Sequence, residues 1–498
     1  MINPAIVLFA WPLISLGIFA GLGVVRGFIA AILVGYLLLP ENFMIDVPLL
    51  PPYDKRTAIT AGLMLALFAF RKEFQEVASE SRSVDKPFSI ALGLCAVVLL
   101  LIPAFVFLTN RSPLFFGPTV LPAHTPKDVI SGVWTTLVVM MPFFFARRIL
   151  TTEDSHRMLL QALLAAGFIY SFLALFELRM SPQLNNWIYG YFPHQWLQHI
   201  RGGGFRPVIF LKHGLWLGFF LLSVVLAAIA LSRTNNPTMR MAYLMLAFWM
   251  FAVLFLSRNL GATLLGIMFV PVVLFLGRRL QLLAATVVAC LFLSYPILLQ
   301  SNALPIDRFL SAVEQASPKR AQSLETRLIN DQRFLERAQE KPVFGWGRYG
   351  RWRVYDETGR DVSIADGLWI ILLGTTGWVG YIGFFGLFIL PVVALYRVRK
   401  RKELTLVTTG MAVIMAANFV YLIPNSALNT IGYAMAGALA GFIQFDLKRA
   451  RQKTEDADTQ ERRVRYTRFE RPGAPVATRQ NRQTYSRANL IRREQSDP

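Results

Sequence analysis

Long apolar runs separated by short polar connectors leave few folds open to this chain. The runs lie near residues 5–22, 27–40, 57–70, 88–109, 128–146, 158–177, 214–232, 240–257, 260–277, 280–300, 366–395, 404–422 and 427–445. A helix needs about 20 apolar residues to cross a bilayer core, and most of these runs approach that length. The expected fold class is therefore all-α: a polytopic membrane helix bundle of about 12–13 transmembrane helices. The second and third runs are short for a span and are the ones expected to be tilted or partly re-entrant. Composition agrees. Hydrophobic residues make up 54% and charged residues only 16%, against about a quarter charged in soluble domains.

Net charge is +21, which in a soluble protein would point to nucleic acid. Here the basic residues fall in connectors and in the tail, so membrane lipids are the expected partners and nucleic acid is not. Cys95 and Cys290 both sit inside apolar runs, so neither a disulfide framework nor a metal site is expected. The first residues lack the basic segment of a cleavable signal, and the first run is read as a retained helix.

Lys and Arg in short loops set orientation. The connectors at 71–86, 147–157, 232–240, 278–279 and 397–402 are basic, as is the tail. They are expected on the cytoplasmic side, and this count puts the N-terminus outside. The connectors 41–56, 110–127, 178–213, 258–259, 301–365 and 423–426 then face the periplasm. Residues 1–445 are read as the bundle, 301–365 as one long periplasmic loop containing helices, and 446–498 as a basic, disordered cytoplasmic tail. Within the loop a helix is expected from about Ser317 to Glu340, capped by Ser317 with Pro318 at its first position. A glycine-interrupted turn, Pro342 to Gly350, follows it. Glycines at 374, 377, 380, 383 and 386 of the next run are read as close helix packing.

No phosphate-binding loop, dinucleotide fingerprint, zinc-ligand spacing or nucleophile elbow is present, so no cofactor and no metal are expected. The candidates for chemistry are arginines at the outer positions: Arg201, Arg206, Arg258, Arg327, Arg333 and Arg337. A guanidinium stays charged and binds phosphate oxygens bidentately. Pairing with Glu325, Glu336 and Glu340 in a solvated loop is the plainer reading for any single loop arginine. Arg258 stands apart, because it interrupts two apolar runs with almost no loop around it, where an ionisable residue is a functional candidate. Arg206 follows three glycines, which fits either backbone approach to a ligand or a flexible loop. His213 is read as a helix-end residue. Asp366 opens a run, either capping a helix or acting as a general base.

These residues resemble the O-antigen ligase and polymerase superfamily of bacterial membrane glycosyltransferases. The resemblance spans roughly residues 200–390. It rests on the Gly- and Arg-containing segment Arg201 to Gly214, the Ser257-Arg258 pair between two runs, the Pro342 to Gly347 turn, and the glycine-rich run after Ala365. It implies transfer of a glycan from an undecaprenyl-pyrophosphate-linked donor to an acceptor sugar at the periplasmic face of the inner membrane. Arg206, Arg258 and, more loosely, Arg327 would hold the pyrophosphate, with Arg201, His213, Gly345 and Gly347 in support. Family ligases carry a histidine where the glycine-rich run opens, and this chain has Asp366. A carboxyl with an ordinary pKa of about 3.9 is ionised at neutral pH and can accept a proton. Asp366 is thus the expected catalytic residue. Ligase and polymerase remain equally open. A flippase for the lipid-linked precursor is the alternative, but it calls for polar residues near the middle of several spans, which are scarce here.

Overall fold

A computed structural model of the protein describes residues 1–46, 51–79, 85–201, 203–301, 318–400 and 404–446, with isolated positions between 303 and 315. The basic tail expected to be disordered lies outside these residues, as does Ser317.

The expected apolar runs are helical. In chain order they are α1 (Pro4–Leu38), α2 (Lys55–Ala69), α3 (Arg71–Ser79), α4 (Lys86–Thr109), α5 (Pro126–Ile149), α6 (Glu153–Met180), α7 (Leu184–Tyr189), α8 (Gly214–Ser232), α9 (Pro237–Leu256), α10 (Leu260–Phe275), α11 (Arg278–Gln300), α12 (Pro318–Gln339), α13 (Leu368–Val398), α14 (Leu406–Leu422) and α15 (Thr430–Gly441). Eight of them, α1, α4, α5, α6, α8, α9, α11 and α13, are long and apolar enough to cross a membrane. The protein is a polytopic membrane helix bundle. Short side chains start many of the helices. Asn3, Asp54, Asp85, Asn236, Thr405 and Asn429 each accept a hydrogen bond from a first-turn N–H, which satisfies a donor that the helix itself leaves open.

Two runs that look separate in sequence form one element with a break. Gly23 has φ 71° and ψ 178° inside α1. Gly27 lies against Phe19, and Gly35 against Trp11. Both contacts are symmetric about residue 23, so α1 folds back on itself as an antiparallel helical hairpin.

The centre of the bundle is α8, buried along nearly its whole length and packed by α6, α9, α10 and α14. Small residues permit these approaches, as expected where lipid removes most of the hydrophobic drive between helices. Gly167 meets Val224, Gly410 meets Ala230, and Gly437 meets the Phe143 carbonyl.

Contacts between connectors sort them to two ends. At one end Tyr189 donates to the Leu38 carbonyl, Lys55 to Phe210, Asn259 to Gly214, and the Leu368 N–H to Asn425. At the other, Arg147 donates to Gln444, Arg278 to the Leu404 carbonyl, and the Thr405 N–H to Glu153. This grouping matches the alternation of basic and less basic connectors.

The glycine-rich α13 is not one continuous helix. Gly377 has φ 64° and breaks it. Its freed backbone groups are taken up by the Pro342–Gly347 turn. The N–H groups of Trp378 and Val379 donate to the carbonyls of Pro342 and Val343. In return the N–H groups of Trp346 and Gly347 donate to the carbonyls of Gly374 and Thr375. In an uninterrupted helix 374 would pair with 378 and 375 with 379. Residues 342 with 346 and 343 with 347 stand in the same relation. The two segments have exchanged partners, so these four N–H groups and four carbonyls are all paired. Gly345, with φ 70°, is the matching break on the other strand, and a Cβ there would fall 2.6 Å from the Thr375 carbonyl carbon. A Cβ on Gly347 would fall 2.1 Å from Nε2 of His124. These two glycines, expected in support of the site, hold this junction. The even glycine spacing in α13, read as close packing, includes the helix break at Gly377.

Gly377→Ala places a Cβ 2.3 Å from the Val343 carbonyl oxygen on a left-handed backbone. It should destabilise the protein by about 2–4 kcal/mol, seen as a lower unfolding midpoint in detergent. Gly93→Ala, with nothing within 4 Å of the new methyl, should leave the midpoint unchanged.

Candidate functional site

The segment from α6 to α8 is shaped by a buried carboxylate that sequence inspection did not single out. Glu177 Oε2 accepts from the N–H groups of Val208 and Ile209, each at 2.8 Å, and Oε1 accepts from Leu184 at 3.0 Å. Three charge-assisted bonds fix an irregular stretch that has no ladder of its own. Upstream, β1 (Ile200–Arg201) and β2 (Gly204–Phe205) form a minimal antiparallel hairpin. The Arg206 N–H then donates to the His199 carbonyl at 2.7 Å. Arg206 is thus set by a hairpin on one side and the Glu177 clamp on the other.

Its side chain is nearly buried and lies flat against Gly214, where any Cβ would fall 2.3 Å from Arg206 Cδ. The guanidinium donates through Nη2 to the carbonyl of Arg258 at 3.1 Å. Arg258 occupies the break between α9 and α10 with φ 59°, a left-handed conformation that costs an L-residue roughly 1–2 kcal/mol. Such strain persists where the surroundings enforce it and is common at functional positions. The exposed Arg258 guanidinium rests on Gly204, whose absent Cβ would lie 2.4 Å from Nη2. Arg206 and Arg258, distant in sequence, therefore meet at the hairpin. Asn259 secures the junction by donating to the Gly214 carbonyl at 2.8 Å.

A second charged group sits at the start of α13. Arg327 of α12 pairs with Asp366 at 3.7 Å, both side chains being about half exposed. A pair this open contributes about 0–1 kcal/mol to stability. Asp366 does not cap α13. Gly367 is the cap residue, and no side chain bonds the first turn. Burial raises the Asp366 carboxyl above its ordinary value, and Arg327 opposes that rise. Asp331, one turn along α12, is pushed up to about 7, first by burial and then by the charge on Asp366, against Arg327. Asp331 thus changes charge close to neutrality, beside a second carboxyl whose value is also raised and a guanidinium that opposes both rises. Arg206 and Arg327 both lie within electrostatic range of the Tyr421 hydroxyl, which donates to the Leu215 carbonyl at 2.9 Å.

At the same end a cavity of about 240 Å³ is lined by Glu41, Lys55, Arg56, Trp216, Leu368 and Asn429 among others. Lys55 is committed to Glu41 at 3.1 Å and to the Phe210 carbonyl. Arg56 adds a cation there that the sequence reading passed over as a span boundary.

The remaining expected residues separate. His213 caps α8, its Nδ1 accepting from the Leu215 N–H at 3.0 Å, as a helix-end residue should. Arg201 contributes backbone to the hairpin, and its side chain falls outside the described residues. Arg333 is exposed on α12. Arg337 stacks on Trp346 at 3.7 Å and pairs with Glu340, so it belongs to the loop's own packing. Glu177 and Asp331 were missed because one closes an apolar run and the other sits in a charged helix, where sequence offers no sign of their neighbours.

Comparison with models of known protein families finds no match, and comparison with curated proteins finds none either.

Glu177→Ala removes three bonds from one buried site. It should cost about 2–4 kcal/mol and speed amide hydrogen exchange across 199–213 ahead of the bundle. Asp331 supplies a pH signature. Its folded-state value lies above the unfolded value of about 3.9, so the folded chain binds more protons than the unfolded chain between about pH 4 and 7. Stability of the α12 region should fall as pH rises through that window, by on the order of 2–4 kcal/mol. Hydrogen-exchange protection of α12 should drop from pH 5 to pH 8, and Asp331→Asn should abolish the drop.

Proposed function

We propose that the protein is a membrane glycosyltransferase of ligase or polymerase type. It transfers a glycan from a polyprenyl-diphosphate-linked donor to an acceptor sugar. The observation that carries this reading is the meeting of Arg206 and Arg258 at one hairpin, with Arg206 and Arg327 both within electrostatic range of the Tyr421 hydroxyl and Arg327 paired with Asp366. A diphosphate has the charge and spread to engage such a group, and preorganised cations stabilise the charge that builds on it as the glycosyl bond breaks.

In this reading an acceptor hydroxyl attacks the anomeric carbon and the bond to the diphosphate oxygen breaks. The bonding pair leaves with the polyprenyl diphosphate, beside Arg206 and Arg258. The hydroxyl proton passes to Asp366, whose raised value makes it a better base than an ordinary carboxylate. Arg327 orients that carboxylate. The cavity beside Leu368, with Arg56 at its wall, offers room for part of the acceptor. Basic side chains concentrate at the opposite end, among them Arg147, Arg148, Arg278 and Arg279. By the positive-inside rule this supports a cytoplasmic assignment for that end and a periplasmic one for the site, in a bacterial inner membrane.

The test is complementation of a gene deletion, following polymer and lipid-linked precursor together. Arg258→Gly keeps the left-handed backbone without strain, so the protein should accumulate normally. Transfer should fall by about a hundredfold or more, with precursor collecting on the outer face. Asp366→Asn should do the same. Full polymer from both variants would refute the assignment. Precursor held on the inner face of the deletion strain would identify a flippase instead.

A further inference from the structure

The chain has five histidines, and three of them converge. His194, His199 and His213 each bring a ring nitrogen within 4.8 Å of the other two. Ring centroids are 4.4 Å apart for His199 and His213, 4.9 Å for His194 and His213, and 5.9 Å for His194 and His199. Three imidazoles on one tetrahedral zinc, with Zn–N bonds of roughly 2.1 Å, hold their centroids about 5 Å apart. The observed spacings bracket that value. His199 and His213 are buried and His194 is partly so. Nδ1 of His194 is also buried and makes no hydrogen bond.

We propose that His194, His199 and His213 form a binding site for a divalent transition metal, zinc first, that ties the approach to the hairpin to the N-terminus of α8. Imidazole ligands suit zinc, copper and nickel, and disfavour magnesium and calcium. Among the described residues no carboxylate belongs to the cluster, and Lys212 lies close enough to act on His194. Three neutral ligands beside a cation leave a fourth position for water or an anionic oxygen. A neutral imidazole has one lone pair, and His213 now gives its own to the Leu215 N–H. The metal competes with that capping bond and replaces it with a coordinate bond. Since His199 also accepts the Arg206 N–H through its carbonyl, metal loading would stiffen the segment that carries Arg206. The spacing of the three residues matches no ligand motif, because the turn at 196–199 and the stretch after β2 bring them together. The metal site stands or falls independently of the glycosyl-transfer reading.

The experiment uses the full-length protein, purified in detergent through a tag without histidine and stripped with a chelator. Zinc content after reloading is measured by mass spectrometry, affinity by competition with a chromogenic chelator, and geometry by the visible absorption of bound cobalt(II). One zinc per chain and a tetrahedral cobalt spectrum are expected. His194→Gln and His199→Gln should each weaken zinc by about a hundredfold or more. His124→Gln, outside the cluster, should not change it. His194→Gln keeps the inference testable should the buried His199 variant fail to fold. Zinc binding unchanged in His194→Gln, or no zinc retained by the wild type, would overturn the proposal.

Discussion

An apolar environment makes an unpaired backbone amide or carbonyl costly, by several kcal/mol each in lipid. That constraint explains the junction between the long loop and α13. Breaking α13 at Gly377 releases two carbonyls and two amides, and the Pro342–Gly347 turn supplies two of each in return. The loop is consequently part of the helix's own hydrogen bonding. Around the same turn, Arg351 is buried and donates to the carbonyls of Ser112 and Pro122, and Trp346 donates to Arg337. The connectors at 110–127 and 342–365 form one packed cap over that end of the bundle.

The candidate site uses the same economy on a smaller scale. Hairpin, α8 start and α9–α10 break are irregular, and each is held by a side chain from elsewhere: Glu177 for the stretch after Arg206, Asn259 for the start of α8, Tyr421 for its first turn. Arg206 plays both parts. Its aliphatic stem fills the space that Gly214 leaves, and its guanidinium satisfies the Arg258 carbonyl. Irregular backbone is tolerated in a membrane bundle where protein groups complete its hydrogen bonding, and here some of those completing groups, Glu177 and Arg206, are charged.

Run length and the distribution of Lys and Arg were enough to place the helices and to sort connectors into two sets, because both signals are local and repeat along the chain. The juxtaposition of Arg206 with Arg258 followed from the resemblance, since nothing in their spacing brings residues 52 apart in sequence together. What stayed hidden depends on partners distant in sequence. Glu177 looks like an ordinary span-end acid until the amides of 208 and 209 are placed above it. Asp331 is one charge among many on α12 until Asp366 and Arg327 stand beside it. The reversal at Gly23 and the break at Gly377 could not be told from packing glycines, because φ is not written in residue identity.

Crossing the bonds between 342–347 and 374–379 leaves their number unchanged, since four pairs form either way. The crossed state is therefore selected by what surrounds it: Phe344 stacked on Phe105 at 4.8 Å, Trp346 beneath Arg337, and glycines free to turn at 345 and 377. Each of the two glycines is thus a selector of pairing: it decides which partner an amide takes without altering how many amides are paired.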